Sequence, residues 1–168
     1  IVPVMIASGA VPADAINRWL FETHDSKLAC AAAEAAIRIG DDALVRRALC
    51  HGRADAREAA IKYLAAAQPD PIPSDLLDFA SDPGSRVRRA LVTILKGRTH
   101  PAYLGTLIKL TSDDWSDAEP HHDEPPSYPI ARDAVAALGA YGALSDEIGA
   151  VLVALAERTD DRLLSSEA

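Results

Sequence analysis

The chain has 168 residues and a net charge of −8, with 25 acidic and 17 basic side chains. This length fits one domain with its own core, or about five units of a repeat array. No apolar run reaches the roughly 18 residues of a membrane span, and no N-terminal signal pattern is visible. We therefore expect no membrane partner and a cytoplasmic location. Because the chain begins at Ile1 rather than at a methionine, we also expect a fragment or a trimmed chain.

The two cysteines indicate neither a metal site nor a disulfide framework. Cys30 and Cys50 lack the spacing of metal ligands, and free cysteines of helical proteins are commonly buried as small apolar groups. We expect both to be buried and inert, in a reducing bacterial cytoplasm. A disulfide and a reactive thiol are the alternatives. No motif indicates a cofactor, so we expect none.

Composition predicts an all-α protein, because alanine dominates and only 5% of the residues are aromatic. In chain order, shorter amphipathic helices are predicted at about 12–23, 41–51, 74–81, 100–112 and 145–158. The prolines and serines that suit the starts of these helices are Pro12, Ser74, Pro101 and Ser145. The glycines that suit left-handed caps beyond helix ends are Gly40, Gly52, Gly97 and Gly142.

Between these helices, one apolar pattern recurs. It starts at Ala56, Val87 and Ile130, with apolar residues at positions 0, +4, +5, +7 and +8 of each copy, which form one stripe of a helix. The copies are 31 and 43 residues apart, and an insertion explains the longer spacing. A weaker copy, whose register stays open, covers 27–37. Helix–turn–helix units with a period near thirty residues bury such stripes by stacking on one another.

Residues 82–91, an Asp-Pro turn followed by Val-Arg and then small and apolar residues ending in Leu, resemble the signature of HEAT repeats. Residues 39–44, together with 55–60, are similar to the short bacterial form, which includes the phycobilin-lyase-type repeats. The resemblance covers about residues 12–160. It implies an all-α, right-handed α-solenoid (an alpha-alpha superhelix) of about five HEAT-like helical hairpins, in a single domain over 1–168.

The same resemblance implies a structural ladder of aspartates and arginines between adjacent repeats. Arg57 and Arg88 occupy equivalent positions, and Asp55 and Asp82 lie in the preceding turns. The alternative is that arginines of this region grip phosphates from one surface. However, a helix directs neighbouring residues about 100° apart, and the chain is acidic overall. We therefore do not expect a nucleic-acid partner.

The most unusual segment is the insertion 111–129, an acidic loop with four prolines and two histidines within one repeat. In one interpretation it binds a partner. Trp115 and Tyr128 would then be aromatic anchors, with charged neighbours at Asp113, Asp114, Arg86 and Arg89. In a second it binds a metal ion through His121, His122 and Asp123, although the spacing is poor for chelation. In a third it is only a solvated loop.

Other aromatic and histidine side chains have structural interpretations. On helical apolar stripes, and so expected in the core, stand Trp19, Tyr63 and Tyr103. At helix ends, where an imidazole can satisfy a carbonyl or cap a helix, stand His24, His51 and His100.

The sequence contains no phosphate-binding glycine loop, nucleophile elbow or paired-carboxylate motif. It therefore favours a non-catalytic, HEAT-type module that binds another protein. Because seven acids fall within 111–133, that partner could be basic. The first alternative is an inhibitor or immunity-type protein that binds a basic toxin or enzyme. The second is a HEAT-like enzyme, either a chromophore lyase subunit or a DNA glycosylase, since this architecture also hosts enzymes.

Overall fold

The computed structural model describes residues 11–22, 25–68, 70–116, 127–141, 149–150 and 153–154. All regular structure in these residues is helical, which confirms the predicted all-α class. Contacts divide the chain after Ile72 into two compact units. No helix within the described ranges is both long enough and apolar enough to cross a membrane.

The first unit contains two helical hairpins. Helix α1 (Ala13–Phe21) packs against α2 (Ser26–Ile39), and α3 (Asp42–Ala48) packs against α4 (Ala54–Ala67). The second helices of the two hairpins, α2 and α4, also pack against each other. The alanine-rich face of α2 is buried, and its small side chains allow neighbouring helices to approach closely.

Short polar side chains and one glycine set the limits of these helices. The carboxylate of Asp25 accepts hydrogen bonds from the backbone N–H groups of Lys27 and Leu28 at the start of α2. Asp41 caps α3 in the same way through the N–H of Leu44. Gly40 ends α2 with φ +69°, so the predicted left-handed cap is confirmed there.

The second unit repeats this arrangement. Helix α5 (Ser74–Leu77) continues as a 3-10 turn (Asp78–Ser81) that packs against α6 (Ser85–Leu95). A second 3-10 turn (Pro101–Tyr103) leads into α7 (Leu104–Leu110), which packs against α8 (Pro129–Gly139). The second helices α6 and α8 again pack against each other.

The repeated apolar stripe is the buried face of α4, α6 and α8. In all three helices the side chains at positions 0, +4, +5 and +8 are buried. Position +7 varies, because it is half-buried at Tyr63 and Ile94 but buried at Ala137. In α2, counted from Leu28, the alanines at +4, +5, +7 and +8 are buried, but Leu28 itself is half-buried and Ala29 at +1 is buried.

Several local predictions were wrong. Pro73, not Ser74, is the N-cap of α5, so the serine is the first helical residue. Gly52 does not have a positive φ, whereas Gly97 does. Neither cysteine is fully buried as predicted, because Cys50 is exposed and Cys30 is half-buried, and both thiols are free. Outside the described residues lie Gly142, Ser145, His24 and most of the helix predicted at 145–158.

The aromatic and histidine predictions hold unevenly. Tyr103 is fully buried, but Trp19 and Tyr63 are only half-buried. His51 satisfies a carbonyl as predicted, with 2.6 Å between its Nε2 and the oxygen of Leu20. The Nδ1 atom of His100 accepts a hydrogen bond from the N–H of Ala102 at 3.2 Å, so this histidine caps the turn that it precedes.

Candidate functional site

Helix α6 directs three arginines into different environments. Arg86 and Arg89 are exposed, and Arg86 already makes a contact within the chain. The side chain of Arg88 is only 15% exposed. Successive residues of a helix point about 100° apart, so Arg88 and Arg89 point in different directions.

Arg88 joins two segments that are distant in sequence. Its Nη1 donates to the carbonyl oxygens of Asp82 at 2.8 Å and Pro83 at 3.3 Å, in the turn before α6. Its Nε and Nη2 donate to the two carboxylate oxygens of Asp113, at 2.5 and 3.1 Å. This is the bidentate geometry in which arginine binds carboxylates best. The hydrogen bonds with Asp113 raise the pKa of Arg88, and burial opposes that rise.

Of the other candidate ladder residues, Asp82 lies in the turn before α6 as predicted, but Asp55 lies within α4, as Arg57 does, rather than in the turn before that helix. Arg57 is 8% exposed and donates from Nη1 to the carbonyl oxygen of His51 at 2.7 Å. The carboxylate of Asp55 accepts a hydrogen bond from Arg53 at 2.9 Å. The buried carboxylate of Asp82 accepts from the N–H of Gly84 at 2.7 Å, which fixes the turn before α6.

Asp113 fixes the start of the inserted loop. Its side chain is 5% exposed. Besides pairing with Arg88, it accepts a hydrogen bond from the N–H of Trp115 at 3.0 Å. Because its carboxylate is buried in these contacts, Asp113 positions the loop rather than facing a partner. Trp115 is half-buried, and Asp114 between them is exposed.

A surface cavity of about 370 Å³ lies beside this segment. Its lining includes Ser81 and Pro83 on one side, and Lys109 and Asp114 on the other. The Nζ atom of Lys109 donates a hydrogen bond to the hydroxyl of Ser81. The lining thus combines one exposed cation, one exposed anion and the aliphatic surface of a proline. Such a mixture suits a polar or amphipathic side chain.

Only the two ends of the insertion are described. Tyr128 is half-buried and directly precedes α8. The weak metal candidates His121, His122 and Asp123 lie outside the described residues. Within the described part of the chain, no three His, Cys, Asp or Glu side chains are grouped so that they could hold a metal ion.

Two contacts join helices α6 and α8 through the residues in them and just after them. The hydroxyl of Tyr141 donates to the carbonyl oxygens of His100 at 2.9 Å and Arg98 at 3.3 Å, just after the two helices end. The Nζ atom of Lys96 lies 2.9 Å from a carboxylate oxygen of Asp133. Sequence reasoning found neither contact, because each joins residues about forty positions apart. The shared repeat position of Arg98 and Tyr141 was the one available signal.

Models of known protein families give no match to this chain, and the curated proteins give none either. The resemblance to HEAT repeats therefore rests on the repeated residues of the chain itself.

Proposed function

We propose that the chain is a HEAT-type array of helical hairpins that binds another protein through segment 112–115 and the cavity beside it. Two features support the array. Each unit pairs two hairpins through their second helices. Arg57 and Arg88 also hold equivalent turn carbonyls, one in each unit. We also propose that the hairpins stack continuously into one superhelix.

The positioning of Trp115 by Asp113 is the observation that supports binding best. A large aromatic side chain on a fixed backbone loses little conformational entropy when a partner covers it. Tryptophan is also among the residues that contribute most to the affinity of interfaces. The two hydrogen bonds from the guanidinium of Arg88 prevent the carboxylate of Asp113 from rotating away. The backbone of segment 112–115 is therefore held before any partner binds.

The cavity gives this surface a polar rim. Asp114 and Lys109 are exposed, and they stand beside a volume of about 370 Å³ that could admit one side chain of a partner. An apolar anchor surrounded by charged and polar groups is the usual arrangement of a protein-binding site.

A photo-crosslinking amino acid at Asp114 tests the proposal. It should trap one protein reproducibly from the source cells, whereas the same probe at the exposed Lys62 of the first unit should not. Equal trapping at both positions, or none at Asp114, would contradict the proposal.

Purified partner then allows a matched comparison of two half-buried tryptophans. Trp115→Ala should raise Kd by about tenfold or more, as expected for loss of an aromatic anchor. Trp19→Ala, in the first unit, should leave Kd within about twofold. Circular dichroism of both variants checks that they are folded. An unchanged Kd for a folded Trp115→Ala variant would remove Trp115 from the interface.

A further inference from the structure

Helices α6 and α8 of the second unit form another surface, whose chemical character differs from that of the Trp115 site. At position +2 of the repeat both helices have an arginine, the exposed Arg89 and the half-buried Arg132. At position +6 both have a small, exposed residue, Thr93 in α6 and Ala136 in α8. A row of cations thus lies beside a row of small side chains, over which another backbone could approach closely.

The contacts between the helices place these rows side by side. Arg98 and Tyr141 both stand at position +11 and are hydrogen-bonded, so the C-terminal ends of the two helices lie side by side. The helices also pack against each other, and packed helices have axes roughly 10 Å apart. The outer faces of α6 and α8 therefore adjoin.

The surface is positively charged although the whole chain is not. Helix α6 contains no acidic residue, and Lys96, with its side chain 51% exposed, directly follows it. Asp133 is the one acid of α8, and it pairs with Lys96 at 2.9 Å. Arg89 and Arg132 therefore give this surface a net positive charge that its own carboxylate does not cancel.

The equivalent face of the first unit lacks this charge. In α4 the residues at +2 and +6 are Glu58 and Lys62, whose charged atoms are 2.6 Å apart. In α2 the corresponding residues are Cys30 and Glu34, and the glutamate lies 3.9 Å from Arg38. The positive surface is thus a property of α6 and α8 rather than of the repeat.

We propose that the α6–α8 surface binds an acidic segment of a protein, with carboxylates at Arg89 and Arg132 and the segment's backbone over Thr93 and Ala136. This partner chemistry goes beyond the proposed function, because the surface is separate from the Trp115 site and rests on other contacts. A protein segment fits better than a nucleic acid. The surface offers few cations and no aromatic side chain in its described residues, and the net charge of −8 repels long polyanions.

Fluorescence anisotropy with a labelled decapeptide of alternating Glu and Ser tests this assignment in the full chain. The peptide should bind at low ionic strength, and binding should weaken as salt is added. The double variant Arg89→Gln, Arg132→Gln should bind about tenfold more weakly, since two charge pairs with the peptide are lost. The matched control, Arg38→Gln with Lys62→Gln, removes the same charge from the first unit and should bind within about twofold of the parent chain.

Three outcomes would overturn the assignment. The first is that the peptide does not bind, and the second is that both double variants lose binding equally. The third is that a single-stranded oligonucleotide with the same charge as the peptide binds more tightly than the peptide, through Arg89 and Arg132. None of them concerns the crosslink at Asp114. Failure here therefore leaves the proposed function standing, and failure of that crosslink leaves this surface standing.

Discussion

Arg57 and Arg88 make the same contact, one in each unit. In both, the Nη1 atom donates to the carbonyl oxygen of the residue six positions earlier, His51 at 2.7 Å and Asp82 at 2.8 Å. Each guanidinium thus ties the first turn of a second helix to the end of the helix or turn before it. Arg88 goes further, because its remaining donors hold Asp113.

The contributions of Arg88 and Asp113 to the free energy of unfolding should be strongly coupled. Its side chains are 15% and 5% exposed, so removal of either one leaves a nearly buried charge without its partner. We expect Arg88→Ala and Asp113→Ala each to lower the free energy of unfolding by about 3 kcal/mol. The double variant should lose about 2 kcal/mol less than the sum of the two. Urea denaturation of the four proteins measures this coupling.

The exposed pair of Glu58 and Lys62 provides the control for that cycle. These residues stand one helical turn apart, with the lysine side chain 54% exposed. A pair of this kind contributes about 0.3–0.5 kcal/mol. If the coupling between Arg88 and Asp113 were equally small, the bidentate contact would not exist in solution.

Arg57 should stabilise the first unit through its hydrogen bond to the carbonyl oxygen of His51. Arg57→Met keeps most of the side-chain volume but leaves the oxygen of His51 without this donor. We expect a loss of about 2 kcal/mol in the free energy of unfolding. Arg18→Met, on the exposed face of α1, should change it by less than about 0.5 kcal/mol. Similar losses for both variants would show that the carbonyl contact contributes nothing.

The fold was predictable where local physics decides it. Positions 0, +4, +5 and +8 of the stripes are buried because helix periodicity places them on one face, and no distant residue is needed to see this. Gly40 was predictable because a left-handed cap favours glycine. Gly52 and Ser74 were predicted by the same rules but wrongly, since neighbouring residues can end or begin a helix as well.

The candidate site was predictable only in part. The sequence indicated that Trp115 and Arg88 were unusual, but not that Asp113 joins them, because a contact over 25 residues depends on how the hairpins pack. The acids of 111–133 suggested a basic partner. Of the three that are described, Asp113 and Asp133 pair with Arg88 and Lys96, and Asp114 is exposed. Composition alone did not show which of these three carboxylates are paired and which is exposed.

Substitution of two glycines by alanine should change the free energy of unfolding in opposite directions. Gly40 has φ +69°, and a Cβ there would meet only the Tyr63 hydroxyl at an ordinary 3.8 Å, so the cost is that of the backbone conformation. We expect Gly40→Ala to lower the free energy of unfolding by about 1 kcal/mol. Gly105 lies in α7, where a Cβ meets no described atom within 4 Å. Gly105→Ala should raise stability by about 0.5 kcal/mol. Thermal melts in which Tm of both variants shifts in the same direction would contradict this prediction.

Tyr141 should contribute to stability through its hydroxyl, because that group donates to the carbonyls of Arg98 and His100 after α6. Tyr141→Phe keeps the buried ring and removes the donor, so we expect a loss of about 1 kcal/mol in the free energy of unfolding. Tyr63→Phe is the matched control. Its hydroxyl makes no hydrogen bond to the described part of the chain, and its loss should change stability by less than about 0.5 kcal/mol. Equal effects in urea denaturation would mean that the Tyr141 contact does not hold the ends of α6 and α8 together, and the α6–α8 surface would lose this support.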